Sequence, residues 1–201
     1  MRLYGFPMSP NARRVHLTLE EVGEPYEYVL VDLTKGEQKK PEYLALNPAG
    51  RVPTFVDGGY VLWESHAIMQ YLAAKYPEKG LDGGSAHERG EIAKWLFMNA
   101  AHFGPAFARI FAHTIRLPED QRIARVADEG RAEATKSLGI LEESLKGKEW
   151  LVSARLTIAD LAYAPSLAFA SMLGVDLSPY THVSGWLDRI KERPSFKKVF
   201  E

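Results

Sequence analysis

The chain has 201 residues, enough for one or two compact domains, and its 46% apolar and 25% charged residues are ordinary globular proportions. A formal net charge of -1 provides no basic stripe of the kind a nucleic-acid binder carries. Cysteine is absent, which excludes disulfides, thiolate metal sites and Cys-x-x-Cys redox chemistry.

The elements follow in chain order. Residues 2–5 read as a short strand, interrupted at Pro7, Ser9, Pro10 and Asn11, so no apolar leader core forms. Residues 12–22 carry Val15, Leu17, Leu19 and Val22 and predict a helix stopped by Gly23. Residues 26–31 predict a strand, 35–40 a polar loop and 42–46 a helical turn. Thr54 to Val56 and Val61 to Trp63 flank Asp-Gly-Gly-Tyr and predict a hairpin, with Val52-Pro53 at its entry. Glu64-Ser65 then opens a helix over 65–76. Backbone groups left unpaired at Val52, beside a helix N-terminus bearing a carboxylate and a hydroxyl, suit a peptide-like ligand with free α-amino and α-carboxyl groups.

Residues 77–85 are turn-rich and read as a linker between an α/β domain (1–78) and an all-α domain (86–201). Helical stretches are predicted over 86–113 and 119–145, separated by Leu117-Pro118. Thr157 to Asp160 has the capping-box pattern at the start of a helix to residue 173. A last helix over about 182–193 ends before Pro194. No stretch approaches the roughly 18 apolar residues of a membrane span, and a cytoplasmic protein is the expectation. His102 and His113 lie about 16 Å apart along a helix, too far to share a metal ion.

Several segments resemble the soluble glutathione S-transferases, and the similarity covers essentially the whole chain. Its carriers are Tyr4-Gly5-Phe6-Pro7-Met8-Ser9-Pro10 with Arg14, then Gly36-Glu37-Gln38-Lys39-Lys40, Asn47-Pro48-x-Gly50-x-Val52-Pro53, Glu64-Ser65-x-Ala67-Ile68, and Thr157 to Asp160 with Leu161-Ala162. The nearest flavour is the serine-type phi and theta classes and related bacterial enzymes. The resemblance implies a thioredoxin-like first domain with a mixed four-stranded sheet, then an all-helical second domain. It implies a cytosolic detoxifying transferase, a homodimer, with glutathione as cosubstrate and no further cofactor or metal. A small, hydrophobic electrophile would accept the thiol, with neither nucleic acid nor membrane as partner.

The same resemblance assigns residues. Ser9 would activate the thiol, although Ser before Pro is also an ordinary N-cap, and Tyr4 is the rival donor. Val52-Pro53 would carry a cis peptide and pair through the Val52 backbone with the ligand's cysteinyl unit. Glu64 and Ser65 would hold the γ-glutamyl end, and Gln38, Lys39 and Arg51 the glycine carboxylate. Lys40 competes with Lys39 by one register step, and Arg51 stands where the phi-like pattern has glutamine. The acceptor pocket would draw on Met8, Asn11, His102, Phe103, Phe107 and Arg109, and for each of them helix-packing core is at least as good a reading. The competing function is a non-catalytic ligand carrier or stress protein on the same fold. Thiol transfer through an enzyme disulfide is excluded by the missing cysteine.

Overall fold

A computed structural model describes residues 1–152 and 154–201. The chain folds into two compact units, Met1–Asp82 with Arg193–Glu201, and Gly83–Glu192.

The first unit opens with β1 (Arg2–Gly5), α1 (Pro10–Val22) and β2 (Glu27–Leu30). Short 3-10 turns at Leu33–Lys35 and Glu37–Lys39 lead to α2 (Pro41–Leu44), then β3 (Thr54–Asp57), β4 (Tyr60–Trp63) and α3 (Ser65–Lys75). The sheet order is β2-β1-β3-β4. β1 and β2 run parallel, while β3 is antiparallel to both β1 and β4, which is the expected mixed sheet. The parallel pair needs a crossover, and α1 supplies it. The registers set Leu3 between Tyr28 and Phe55. Leu3 and Phe55 are fully buried with Val15, Leu19, Ile68 and Leu72, so the core lies between the sheet and helices α1 and α3.

The second unit is helical. It begins at α4 (Ala86–Met98) and continues through a π-turn (Asn99–Phe103), α5 (Gly104–Phe111) and a second π-turn (Ala112–Arg116). The sequence shows an unbroken helical period here, and the backbone does remain right-handed helical throughout. Pro105 offers no N–H and crowds the carbonyl four residues back, which accounts for a widened turn before it. The helix ends at Leu117, extended ahead of Pro118. A 3-10 turn (Glu119–Gln121) precedes α6 (Ala124–Leu145), so that helix starts later than its periodicity predicts. Helix α7 (Ile158–Ala168) and α8 (Thr181–Lys191) complete the unit.

Its core is aromatic. Phe103, Tyr163 and Trp186 are fully buried, with Phe103 4.9 Å and Trp186 6.4 Å from the Tyr163 ring. Asp160 is buried beneath them and accepts from Thr157 N–H, the Thr157 hydroxyl, Leu151 N–H and the Trp186 indole at 2.8–3.0 Å. Burial pushes its carboxyl above the usual range, and these donors oppose that shift.

One element was not foreseen. After Pro194 the chain forms α9 (Pro194–Phe200) and rejoins the first unit against α1. Proline stops a preceding helix but is also favoured as the first residue of a new one. The expected second domain ran to residue 201, whereas packing places Arg193–Glu201 with the N-terminal unit.

Candidate functional site

The sheet brings the sequence motifs to one edge. Tyr4 pairs with Thr54, and Thr54 pairs with Trp63. The end of β1, the entry to β3 and the exit from β4 are therefore neighbours. Each leads to a candidate segment: Phe6 to Ser9, Val52-Pro53, and Glu64-Ser65.

Ser9 is the N-cap of α1, half-buried, with extended backbone. Its Oγ accepts from Ala12 N–H at 3.3 Å, and Pro10 occupies the first helical position. The capping role is thus real. It uses one acceptor lone pair, and a hydroxyl still has its proton to donate. Tyr4 is half-buried on the other face of β1, against Val31, Tyr43 and Val52, and its side chain engages Arg2 at the start of the strand.

The loop before β3 is held from inside. Tyr43 hydroxyl and Asn47 Nδ2 donate to the Arg51 carbonyl at 2.7 and 2.8 Å. Both also meet Thr54 Oγ1, at 2.8 and 3.1 Å, and Asn47 Oδ1 accepts from Ala49 N–H at 3.0 Å. Asn47, Tyr43 and Thr54 are buried, and burial raises the Tyr43 phenol. Their role in shaping this loop went unread in the sequence, where Asn-Pro-x-Gly marked only the turn. The Val52-Pro53 peptide is cis. Val52 is buried, and its N–H and C=O make no backbone hydrogen bond among the described residues.

Glu64 and Ser65 start α3. Glu64 is exposed with φ 71°, ψ 108°, the single non-glycine residue of positive φ among those described. Ser65 is buried. No side chain caps this helix, so its first N–H groups and positive end stay available to an anion. One residue on, His66 receives Arg14 Nη1 at 2.8 Å on its Nε2. Arg14 is buried on α1, and this contact joins the two helices whose N-termini flank the edge.

The two lysines of the basic loop are placed differently. Lys40 Nζ pairs with Glu37 at 3.2 Å, whereas Lys39 Nζ lies 2.8 Å from where a Cβ on Gly50 would stand. Gly50, at φ 58°, leaves room for the Lys39 side chain. Gln38 Oε1 is buried without a hydrogen-bond partner among the described residues, and Arg51 is exposed.

The expected acceptor residues fare unequally. Met8 and Asn11 are exposed beside Ser9. In the helical unit His102 and Arg109 are exposed, His102 lying 3.9 Å from Glu133. Phe103 and Phe107 are 0% and 4% exposed, with rings stacked at 4.5 Å. Most of the surface of these two rings is taken up by packing in the aromatic core. Among the described residues no group of His, Asp or Glu is arranged to hold a metal ion, and no helix is long and apolar enough to cross a membrane.

Comparisons with known proteins identify the family. The family model "Glutathione S-transferase, N-terminal domain" matches residues 1–74, and "Glutathione S-transferase, C-terminal domain" matches residues 93–194. The chain is similar to glutathione S-transferase F10 of Arabidopsis thaliana, 36% identical across 96% of this chain and 93% of that protein. It is also similar to GstB of Escherichia coli K12, 32% identical across 98% and 96%. Among solved structures, poplar glutathione transferase F1 superposes with TM-score 0.90 at 31% identity, covering 98% and 95% of the two chains. Glutathione transferase URE2P6 of Phanerochaete chrysosporium, in complex with oxidized glutathione, gives 0.92 at 31% identity, covering 99% and 94%.

Proposed function

The chain belongs to the glutathione S-transferase family, and from that premise we propose that it is a serine-type enzyme in which Ser9 activates the glutathione thiol. The observation carrying this reading is the Ser9 hydroxyl at the N-terminus of α1, accepting from Ala12 and keeping its own proton to donate. A free thiol has a pKa near about 8.5, and lowering it by about two units requires about 2.7 kcal/mol. An exposed helix N-terminus supplies only about 0.3–1 kcal/mol. A hydrogen bond to a charged acceptor supplies about 1.5–3 kcal/mol, so the hydroxyl carries the larger share.

The rest of the ligand is read along the same edge. The Val52 N–H and C=O pair with the cysteinyl backbone in the manner of an added strand. The γ-glutamyl carboxylate meets Ser65 and the open N-terminus of α3, and Glu64 offsets the ammonium. Lys39, with Gln38 and Arg51, takes the glycine carboxylate. The oriented thiolate attacks an electrophilic carbon of a small apolar acceptor, with Met8, Asn11, His102 and Arg109 as pocket candidates. A homodimer and a cytoplasmic site of action belong to this proposal, the first checked by sedimentation equilibrium.

Ultraviolet titration of bound glutathione tests the mechanism. Thiolate absorbance should rise near neutral pH in the wild type, and in Ser9→Ala the transition should move up by about one to two units. Tight glutathione binding with an identical thiol transition in both proteins would sink the role of Ser9. Absence of glutathione binding would favour a ligand carrier that kept only the fold.

A further inference from the structure

We infer that α9 and Arg13 together form a positioning device for the Ser9 hydroxyl, a proposal that rests on the reading of Ser9 above. Ser9 sits at the end of a tight turn, its N–H donating to the Phe6 carbonyl at 2.9 Å. Inside that turn the Pro7 carbonyl is taken by Arg13 Nε at 2.5 Å. Arg13 also donates its backbone N–H to the Ser9 carbonyl at 2.9 Å. One residue of α1 therefore grips the Ser9 loop twice, by backbone at Ser9 itself and by side chain two residues earlier.

A long arginine side chain on the outer turn of a helix keeps rotamer freedom, and a flat apolar partner reduces it. Here the guanidinium carbon lies 4.0 Å from the ring centroid of Phe200. That ring stacks on Phe196, centroids 4.0 Å apart and planes 1° from parallel, and Phe196 is buried. The stack comes from α9, which is moored to α1 elsewhere. Arg193 makes a two-pronged contact with Glu21 at 2.6 and 2.7 Å, and Lys198 pairs with Glu20 at 2.8 Å. The moorings hold the helix; Phe200 is the contact that reaches toward the loop. With one face against Phe200, the guanidinium presents its edge to Pro7. Loss of the ring removes one of the contacts that orient the Arg13 guanidinium, loosens its hold on the Pro7 carbonyl, and shifts the hydroxyl relative to the sulfur it must meet.

The experiment is the thiol titration of bound glutathione, with the dissociation constant for glutathione, in full-length wild type, Arg13→Gln, Phe200→Ala, Phe200→Leu and Phe200→Tyr. Arg13→Gln, Phe200→Ala and Phe200→Leu should raise the bound thiol pKa by about half to one unit. Affinity for glutathione should change less than about twofold, because Val52, Glu64 and Ser65 are untouched. Phe200→Tyr keeps the ring and should titrate as wild type. The leucine variant keeps apolar packing and guards against loss of fold. A lowered melting temperature with a wild-type thiol pKa in these variants would make the contact merely structural and overturn the proposal. A wild type whose thiol titrates like Ser9→Ala would instead defeat the Ser9 reading, which separates the two failures.

Discussion

Glu64 shows what a single residue can be made to bear. A non-glycine residue at φ 71° costs about 1–3 kcal/mol, and nothing in the local turn needs a side chain there. Glycine would adopt this backbone without strain. Glu64→Gly should therefore be more stable than Glu64→Ala by at least about 1 kcal/mol in denaturant titrations. On the proposed role of Glu64, both should bind glutathione about five- to tenfold more weakly, since the carboxylate proposed to offset the ligand's ammonium is gone. Equal stability of the two variants would remove the strain, and unchanged affinity would remove the role in binding. The local sequence shows why part of this site was readable. Ser-Pro announces a cap, because caps depend on neighbours three residues away, and Glu-Ser stands directly ahead of an apolar helical period. The positive φ at Glu64 and the Lys39 approach to Gly50 depend on residues placed by the sheet, and no local pattern encodes them.

At the scale of elements, helix α6 carries two contrasting glycines. A Cβ on Gly130 would stand 2.9 Å from the Ala106 carbonyl and 3.0 Å from Ile110, so α5 and α6 approach through that gap. Gly130→Ala gains about 1 kcal/mol in helix propensity, but overpacking of about 1–3 kcal/mol against backbone outweighs it. Gly139 meets nothing within 4 Å, and Gly139→Ala should stabilise by about 0.5–1 kcal/mol. Thermal melts of the pair should move in opposite directions. The same helix caps α8 from outside its own chain segment. Glu142 accepts from His182 and Val183 N–H at 3.0 and 2.9 Å and from the His182 ring at 2.7 Å. The net effect holds its carboxyl below the usual range: burial opposes this, and the two backbone bonds and His182 outweigh it. A depressed carboxylate contributes stability above its unfolded pKa, which is lost as pH falls through the folded one. Unfolding free energy should thus drop below about pH 4.5, and Glu142→Gln should flatten that slope while costing about 1 kcal/mol at neutral pH. An unchanged acid limb would refute this cap. Periodicity revealed these helices as long apolar stripes, yet it is blind to the π-turn ahead of Pro105, where a missing N–H and a ring clash alter the ladder without altering the stripe.

On the scale of the whole molecule, the unexpected feature is that both ends of the chain build one unit. Composition marks the turn-rich segment 77–85 as a linker, and the first stretch of the N-terminal unit runs to Asp82. The return of residues 193–201 has no such local mark, because it is decided by partners about 170 positions away in sequence. Glu21 on α1 accepts from Arg193 through both oxygens and from the Ser195 hydroxyl. Glu21 is 10% and Arg193 36% exposed in their side chains, so the pair is sheltered enough for its loss to matter. Removing the carboxylate leaves the guanidinium and hydroxyl without it, a cost of about 1–3 kcal/mol. Glu21→Ala should therefore release α9 before anything else. Amide exchange should accelerate across residues 194–200, while the buried core of β1 and β3 keeps its protection. Uniform acceleration through the first unit would mean that α9 is part of its cooperative core rather than a moored appendage. If only α9 loosens, the bound thiol in Glu21→Ala should also titrate higher, because Phe200 leaves Arg13 along with the helix that carries it.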